Sequence, residues 1–235
     1  MHRNNKLILS IIVIAMSLGS IFYVNAKQST FIAVNTKPTN SKKLILIDPG
    51  HGGFDGGGFS KTGILEKGIN LNISFKLREE LQKLGYDVLM TRDEDKLLYD
   101  KNDKSRSRKT QDLANRCKIK NESNCDIFIS VHLNMFPQNK YYGAQVWYSK
   151  LEESKKLAHI LQVNFKTDLN SENNRVEKAA LNEYKVLKSG NMPSVIVECG
   201  FLSNAVEAEK LNSLEYQSLV AKSIARSVVQ YYRGN

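Results

Sequence analysis

Apolar residues along this chain fall into two rhythms. Leu44-Ile45-Leu46-Ile47, Ile127-Phe128-Ile129 and Val195-Ile196-Val197 are short, unbroken runs with no polar face. They predict strands buried on both sides. Between them the period becomes helical. Ile69, Ile73, Leu77, Leu81 and Leu84 predict a helix over 67–84 that Gly85 stops. Leu113 and Cys117 mark a weaker helix over 105–121, and Leu157, Leu161, Phe165 and Leu169 mark one over 152–169. Residues 86–91 and 143–148 read as further strands, 184–187 as a short one, and 171–180 as a loop. Asn204-x-x-Glu207 and Asn212-x-x-Glu215 resemble capping boxes opening two final helices. The last helix carries Tyr216, Leu219, Val220, Ile224 and Val228 on its apolar face. Strand and helix patterns alternate, which predicts fold class α/β: one three-layer α/β/α domain with a mostly parallel twisted sheet.

The first residues break this pattern. A basic start (His2, Arg3, Lys6) precedes an apolar run from Leu7 to Val24, interrupted only by small residues. Residues 1–26 read as a signal peptide or a membrane anchor. Val24-Asn25-Ala26 offers a cleavage site before Lys27, whereas the length of the run favours an anchor that meets the membrane. Residues 27–42 are polar and aperiodic, a linker, and 43–235 form the domain. An exported chain of net charge +10 is drawn to anionic surfaces such as wall polymers or lipid headgroups. Export also argues against a nucleic-acid partner. The basic cluster over 101–109 contains Asp103 and no aromatic residue, which suits a solvated loop. Cys117 and Cys125 are not spaced as a disulfide signature, and the sequence leaves their pairing open.

The chemistry gathers at strand ends. Asp48-Pro49-Gly50-His51 follows the first apolar run, Ser130-Val131-His132 closes the second, and Glu198 closes the third. In open parallel sheets, sites form where strands leave the sheet at their carboxyl ends. His159 lies within a helix and His2 in the leader, so His51 and His132 are the candidate metal ligands. Glu66, in the first turn of a helix, can complete a two-His, one-carboxylate set if the glycine-rich loop folds back. That loop lacks the Gly-x-Gly-x-x-Gly order and the Gly-Lys-Ser/Thr ending of phosphate-binding loops. Asp48 and Asp55 are spare carboxylates suited to orienting a histidine. An acid at the end of Val-Ile-Val is costly unless it is solvated, hydrogen-bonded or used, which singles out Glu198. Asp126 opens its strand and belongs at the opposite end of the sheet.

The stretches Ile47-Asp48-Pro49-Gly50-His51-Gly52-Gly53, Leu65-Glu66-Lys67, Ser130-Val131-His132-Leu133-Asn134 and Val197-Glu198-Cys199-Gly200-Phe201-Leu202-Ser203-Asn204 together resemble the zinc-dependent N-acetylmuramoyl-L-alanine amidases of bacterial cell walls. The resemblance spans about residues 43–233. It implies Zn2+ bound by His51, Glu66 and His132, Glu198 as the catalytic carboxylate, and Asn134 as a substrate contact. Thr91-Arg92 and Arg116 also look like the family, with no direct catalytic role assigned to either arginine. Cys199 departs from the small residue common in relatives. The implied substrate is peptidoglycan, cut between muramic acid and L-alanine. Within the family the chain looks most like the germination-specific amidases of spore-forming bacteria, which act on the cortex. No segment is left over for an inhibitory helix or wall-binding repeats, so a protein partner or regulated expression is expected to control it. Alternatives are a vegetative autolysin, another zinc wall peptidase, or an inactive wall-binding scaffold.

Overall fold

The unbroken apolar runs become the inner strands of a single six-stranded sheet. The computed structural model describes residues 42–102, 105–181 and 183–234; the expected leader and nearly all of the linker lie outside them. The strands are β1 (Leu44–Pro49), β2 (Asp87–Met90), β3 (Ile127–Asn134), β4 (Gln145–Tyr148), β5 (Lys178–Ala179) and β6 (Ser194–Phe201). They lie in the order β2-β1-β3-β6-β4-β5. The first four in that order run parallel. β4 is antiparallel to β6, and β5 is parallel to β4. Every residue of β6 is buried, as its apolar sequence requires. The edge strand β2 instead alternates between exposed and half-buried positions.

Successive strand residues point to opposite faces, and here the two faces differ. Ile45, Ile47, Ile127, Ile129, Val131, Val195 and Val197 face one core. Three long helices complete it: α1 (Glu66–Lys83), α3 (Glu152–Asp168) and α6 (Leu214–Arg233). Ile73, Leu77 and Leu81 of α1 are fully buried there, each contributing about 1.5–3 kcal/mol. Leu46, Phe128 and Ile196 face the other way, into a smaller core. That core is closed by α2 (Arg108–Glu122) and a single turn, α4 (Lys185–Lys188). The same alternation puts Asp48, Ser130, His132 and Glu198 on this thinly covered face.

Three local expectations are corrected. Residues 184–187 form a helical turn rather than a strand. Val186 and Leu187 are both buried, as adjacent residues of a turn can be and those of a half-buried strand cannot. Leu187 N–H donates to the Tyr184 carbonyl, and the Val186 and Ser189 carbonyls accept from buried Lys120 Nζ at 2.8 and 2.6 Å. The final helix is capped by Ser213, whose hydroxyl accepts from Tyr216 N–H, while Asn212 still belongs to α5 (Ala205–Asn212). Asn204 caps α5 as expected, accepting from Val206 and Glu207 N–H. The expected loop 171–180 also contains the two-residue β5.

Candidate active site

His51, Glu66 and His132 come from the loop after β1, from α1 and from β3, and converge at the carboxyl end of the sheet. His51 Nε2 lies 3.3 Å and His132 Nδ1 3.0 Å from the same Glu66 oxygen, Oε1. Suitable ligand atoms of the three residues all lie within 4.8 Å of one another. The two imidazoles meet edge to face with centroids 5.0 Å apart. Three nitrogen and oxygen donors at this spacing could hold a metal ion.

His51 and Glu66 are also held by partners outside the cluster. Asp55 Oδ2 sits 3.0 Å from His51 Nδ1, which leaves Nε2 facing the cluster. Asp55 Oδ1 pairs with Lys109 Nζ at 2.9 Å. Glu66 is buried and accepts from Leu133 N–H and Asn70 Nδ2 at Oε1, and from Gly58 N–H at Oε2. Burial alone would raise the Glu66 carboxyl, but hydrogen bonds and charge from His132 and His51 outweigh it and hold the pKa well below the ordinary value. Burial would lower His51, yet Glu66 and Asp55 raise it.

Two arginines fix the loop that carries His51. Arg92 Nε and Nη2 donate to the carbonyls of Pro49 and Gly50, and Arg116 Nη1 and Nη2 donate to those of Pro49 and His51. His51 itself has φ of 60°, a left-handed conformation uncommon outside glycine. The carbonyl bond from Arg116 helps to hold it there. Arg116 is neutralised by Asp48 at 2.6 Å and Asp112 at 2.7 Å. Asp48 also accepts from Thr91 and Ser130 hydroxyls. It therefore braces the arginine, whereas Asp55 orients a histidine as the sequence suggested. The glycines are close-approach positions: a Cβ on Gly50 would lie 2.2 Å from the His132 ring, and one on Gly57 2.5 Å from Glu66 Oε2.

Glu198 stands directly across from His132 in the β3–β6 register. It is buried, and its Oε2 has no hydrogen-bond partner. Burial, reinforced by the nearby Glu66 charge and opposed by His132 and His51, pushes its pKa up to about 7. A cleft of about 540 Å³ opens beside the cluster, lined by His51, His132, Leu113, Tyr184, Val186 and Ile196. That volume suits a small ligand. The sequence profile of the N-acetylmuramoyl-L-alanine amidases matches residues 45–230.

The chain belongs to the N-acetylmuramoyl-L-alanine amidase family. Its relatives include the germination-specific N-acetylmuramoyl-L-alanine amidase of Bacillus subtilis, 38% identical over 194 residues, or 82% of this chain and 81% of that one. AmiA of Salmonella typhimurium is 27% identical and covers 93% of this chain and 88% of its own. Among solved structures, the CwlD amidase of Clostridioides difficile, determined in complex with the GerS lipoprotein, is 40% identical with a TM-score of 0.79. It covers 83% of this chain and 100% of its own.

In this amidase the four residues singled out from strand and helix ends lie together. Asn134 ends β3 on the same face as His132, and its carbonyl accepts from Leu202 N–H. His159 lies apart, paired with Glu177 on the surface. Asp126 sits at the far end of the sheet, bound to Lys43 and to Leu44 N–H. Cys117, Cys125 and Cys199 are all free thiols. Asn70, Tyr184 and Lys109 were not singled out from the sequence. Only the position of Asn70, one helical turn after Glu66, offered a signal.

Proposed function

We propose that this chain is a zinc-dependent N-acetylmuramoyl-L-alanine amidase that hydrolyses the bond between the lactyl group of muramic acid and L-alanine in peptidoglycan. His51, Glu66 and His132 hold Zn2+, and the donor set fits: two imidazole nitrogens face one ionised carboxylate oxygen. Bound there, the ion supplies Lewis acidity to the scissile carbonyl and to the attacking water. Asp55 keeps the His51 proton on Nδ1, so that Nε2 presents its lone pair. Glu198 accepts the proton of the water and delivers it to the departing alanine nitrogen. Asn134 contacts the substrate. The observation that carries the reading is the unpartnered Oε2 of buried Glu198 beside the His/Glu/His set. A carboxyl whose pKa stands near 7 is matched to taking and returning a proton at neutral pH.

In the wider proposal, residues 1–26 direct export or anchor the chain, 27–42 form a linker, and 43–235 form the catalytic domain, which works outside the cytoplasmic membrane. No helix among the described residues is long and apolar enough to cross a membrane; the leader falls outside them. The substrate is spore cortex, stripped of stem peptides so that muramic lactam can form for germination. Similarity to a germination-specific amidase supports this, and the CwlD–GerS complex supports an activating protein partner.

Purified protein incubated with peptidoglycan should release stem peptides with free L-alanine amines, leaving intact glycan, and should contain one zinc per chain. Glu198→Gln should retain the zinc and lose about a hundredfold or more in turnover. Products cut within the peptide would instead identify a wall endopeptidase. A gene deletion that left cortex muramic lactam normal but chained the vegetative cells would replace the spore role with that of an autolysin.

A further inference from the structure

The proposed cleavage divides its substrate into two unlike halves, and the two flanks of the site differ in the same sense. The glycan half is a row of sugar rings with apolar faces edged by hydroxyl and amide groups. The peptide half carries free carboxylates. One flank of the site is the cleft, a charged surface where Lys109, Arg116 and Lys185 stand beside Asp55, Asp112 and Glu183. On the other flank, residues 135–142 and the end of β6 build an aromatic ledge. Phe136 meets the Tyr141 ring edge-on at 5.0 Å, and Tyr141 lies 6.2 Å from the ring of Phe201. The Arg175 guanidinium sits 4.3 Å from the Phe201 ring and 6.0 Å from that of Tyr141. Phe201 is 2% exposed and Phe136 47%, so the stack has a buried floor and an open top.

Scattered exposed aromatics are ordinary on protein surfaces. This group is built. Phe136 N–H donates to Ser203 Oγ, and Asn204 Nδ2 donates to the Asn139 carbonyl. The carboxylate of Glu207 accepts from Gly143 N–H and Phe201 N–H, both at 2.8 Å, tying the two segments together. Gly143, at φ of +88°, makes the turn that permits this. The ledge is therefore ordered before any ligand arrives. It is also continuous with the reacting centre. Phe136 follows His132 by four residues, at most about 13 Å of extended chain. Arg175 Nη1 donates to Gln145 Oε1, and Gln145 is the cross-strand partner of Glu198.

Resting on the amidase reading, we propose that the Phe136–Tyr141–Arg175 ledge is a glycan subsite. It holds sugar rings adjacent to the muramoyl residue being cut, and leaves the cleft to the stem peptide. Flat aromatic faces beside a guanidinium suit rings that are apolar on their faces and polar at their edges.

The test uses the full chain and a Phe136→Ala/Tyr141→Ala variant, with Phe136→Ser as a milder second variant and circular dichroism as the check on folding. The binding probe is a peptide-free tetrasaccharide of alternating N-acetylglucosamine and N-acetylmuramic acid, titrated calorimetrically. The variants should bind it about tenfold or more weakly. KM for glycan strands bearing stem peptides should rise by a similar factor, whereas kcat/KM for the one-sugar substrate muramyl dipeptide should change less than twofold. Equal losses on both substrates, or unaltered tetrasaccharide binding, would overturn the subsite. Failure of the amidase reading looks different: the parent protein, alone or with cell extract added to supply an activating partner, would release peptide from neither substrate.

Discussion

Replacing Gly50 with alanine tests the geometry of the site through one added methyl group. No unusual backbone angle at Gly50 forbids a side chain. The obstacle is the His132 ring: the new Cβ would lie 2.2, 2.4 and 2.6 Å from its Cε1, Nε2 and Nδ1. Ordinary van der Waals contact begins near 3.4 Å, so the gap falls short by about 1.2 Å. The ring is the movable party, because the Gly50 backbone is held by its N–H bond to the Val131 carbonyl and by the Arg92 bond to its own carbonyl. Overpacking of this kind typically costs about 1–3 kcal/mol, which the domain should survive. A misplacement of about 1 Å at a reacting centre, however, can cost about a hundredfold in rate. Metal sites tolerate only about ±0.2 Å in ligand distance. Gly50→Ala should therefore fold, lose about a hundredfold in peptide release, and hold zinc less tightly in chelator competition. Gly68→Ala, at a helical glycine with nothing within 4 Å of the added Cβ, is the control. It should keep activity and gain about 0.5–1 kcal/mol. If Gly50→Ala retained activity within a few-fold and full zinc affinity, the close approach of Gly50 to His132 would not be setting the ligand's position.

Other outcomes follow from the buried charges and caps. Asp48→Asn removes a carboxylate from Arg116, Thr91 and Ser130 together; breaking a buried pair costs about 3–5 kcal/mol, which thermal unfolding would register as a clear fall in Tm. Burial lowers the Lys120 pKa to about 8 from 10.5. The unfolded chain therefore binds more protons between those values, and this residue's contribution to stability rises with pH across that window and is lost as pH falls through about 8. Urea unfolding of the parent and of Lys120→Met from pH 7.5 to 10.5 should show that extra upward slope only in the parent; parallel curves would refute it. Ser213→Ala should cost about 0.5–2 kcal/mol through loss of the cap on α6, measured as a lower denaturation midpoint with unchanged activity.

The sequence made the rim of the site legible because parallel strands buried on both faces leave unbroken apolar runs. Against such a run, a terminal His51, His132 or Glu198 stands out. The layered α/β/α arrangement was readable for the same reason. Glu66 was visible only by its place at a helix start, since its burial depends on how the glycine-rich loop folds over it. Arg92 and Arg116 carried no signal of their bonds to the loop after β1, because there they satisfy backbone carbonyls, and a carbonyl has no letter in the sequence. Residues 184–187 misled because a short apolar run fits a turn as well as a strand, and the decision came from Lys120, more than sixty positions away. Asn212 and Ser213 both suit a cap, and only the hydroxyl contact to Tyr216 N–H separates them.

The order of strands in the sheet bears on how the molecule comes together. β6, near the end of the chain, lies between β3 and β4, which are complete long before it. Until β6 is available, both of those neighbours have open edges, and such edges pair readily with other chains. The α6 residues Val220, Ile224 and Val228 then close the larger core against α1 and α3. Pairings between such distant segments slow folding. A chain emerging amino end first therefore stays incompletely folded until these last elements are released. Fragments ending before residue 194 should be prone to aggregation and devoid of activity, even though they contain His51, Glu66 and His132.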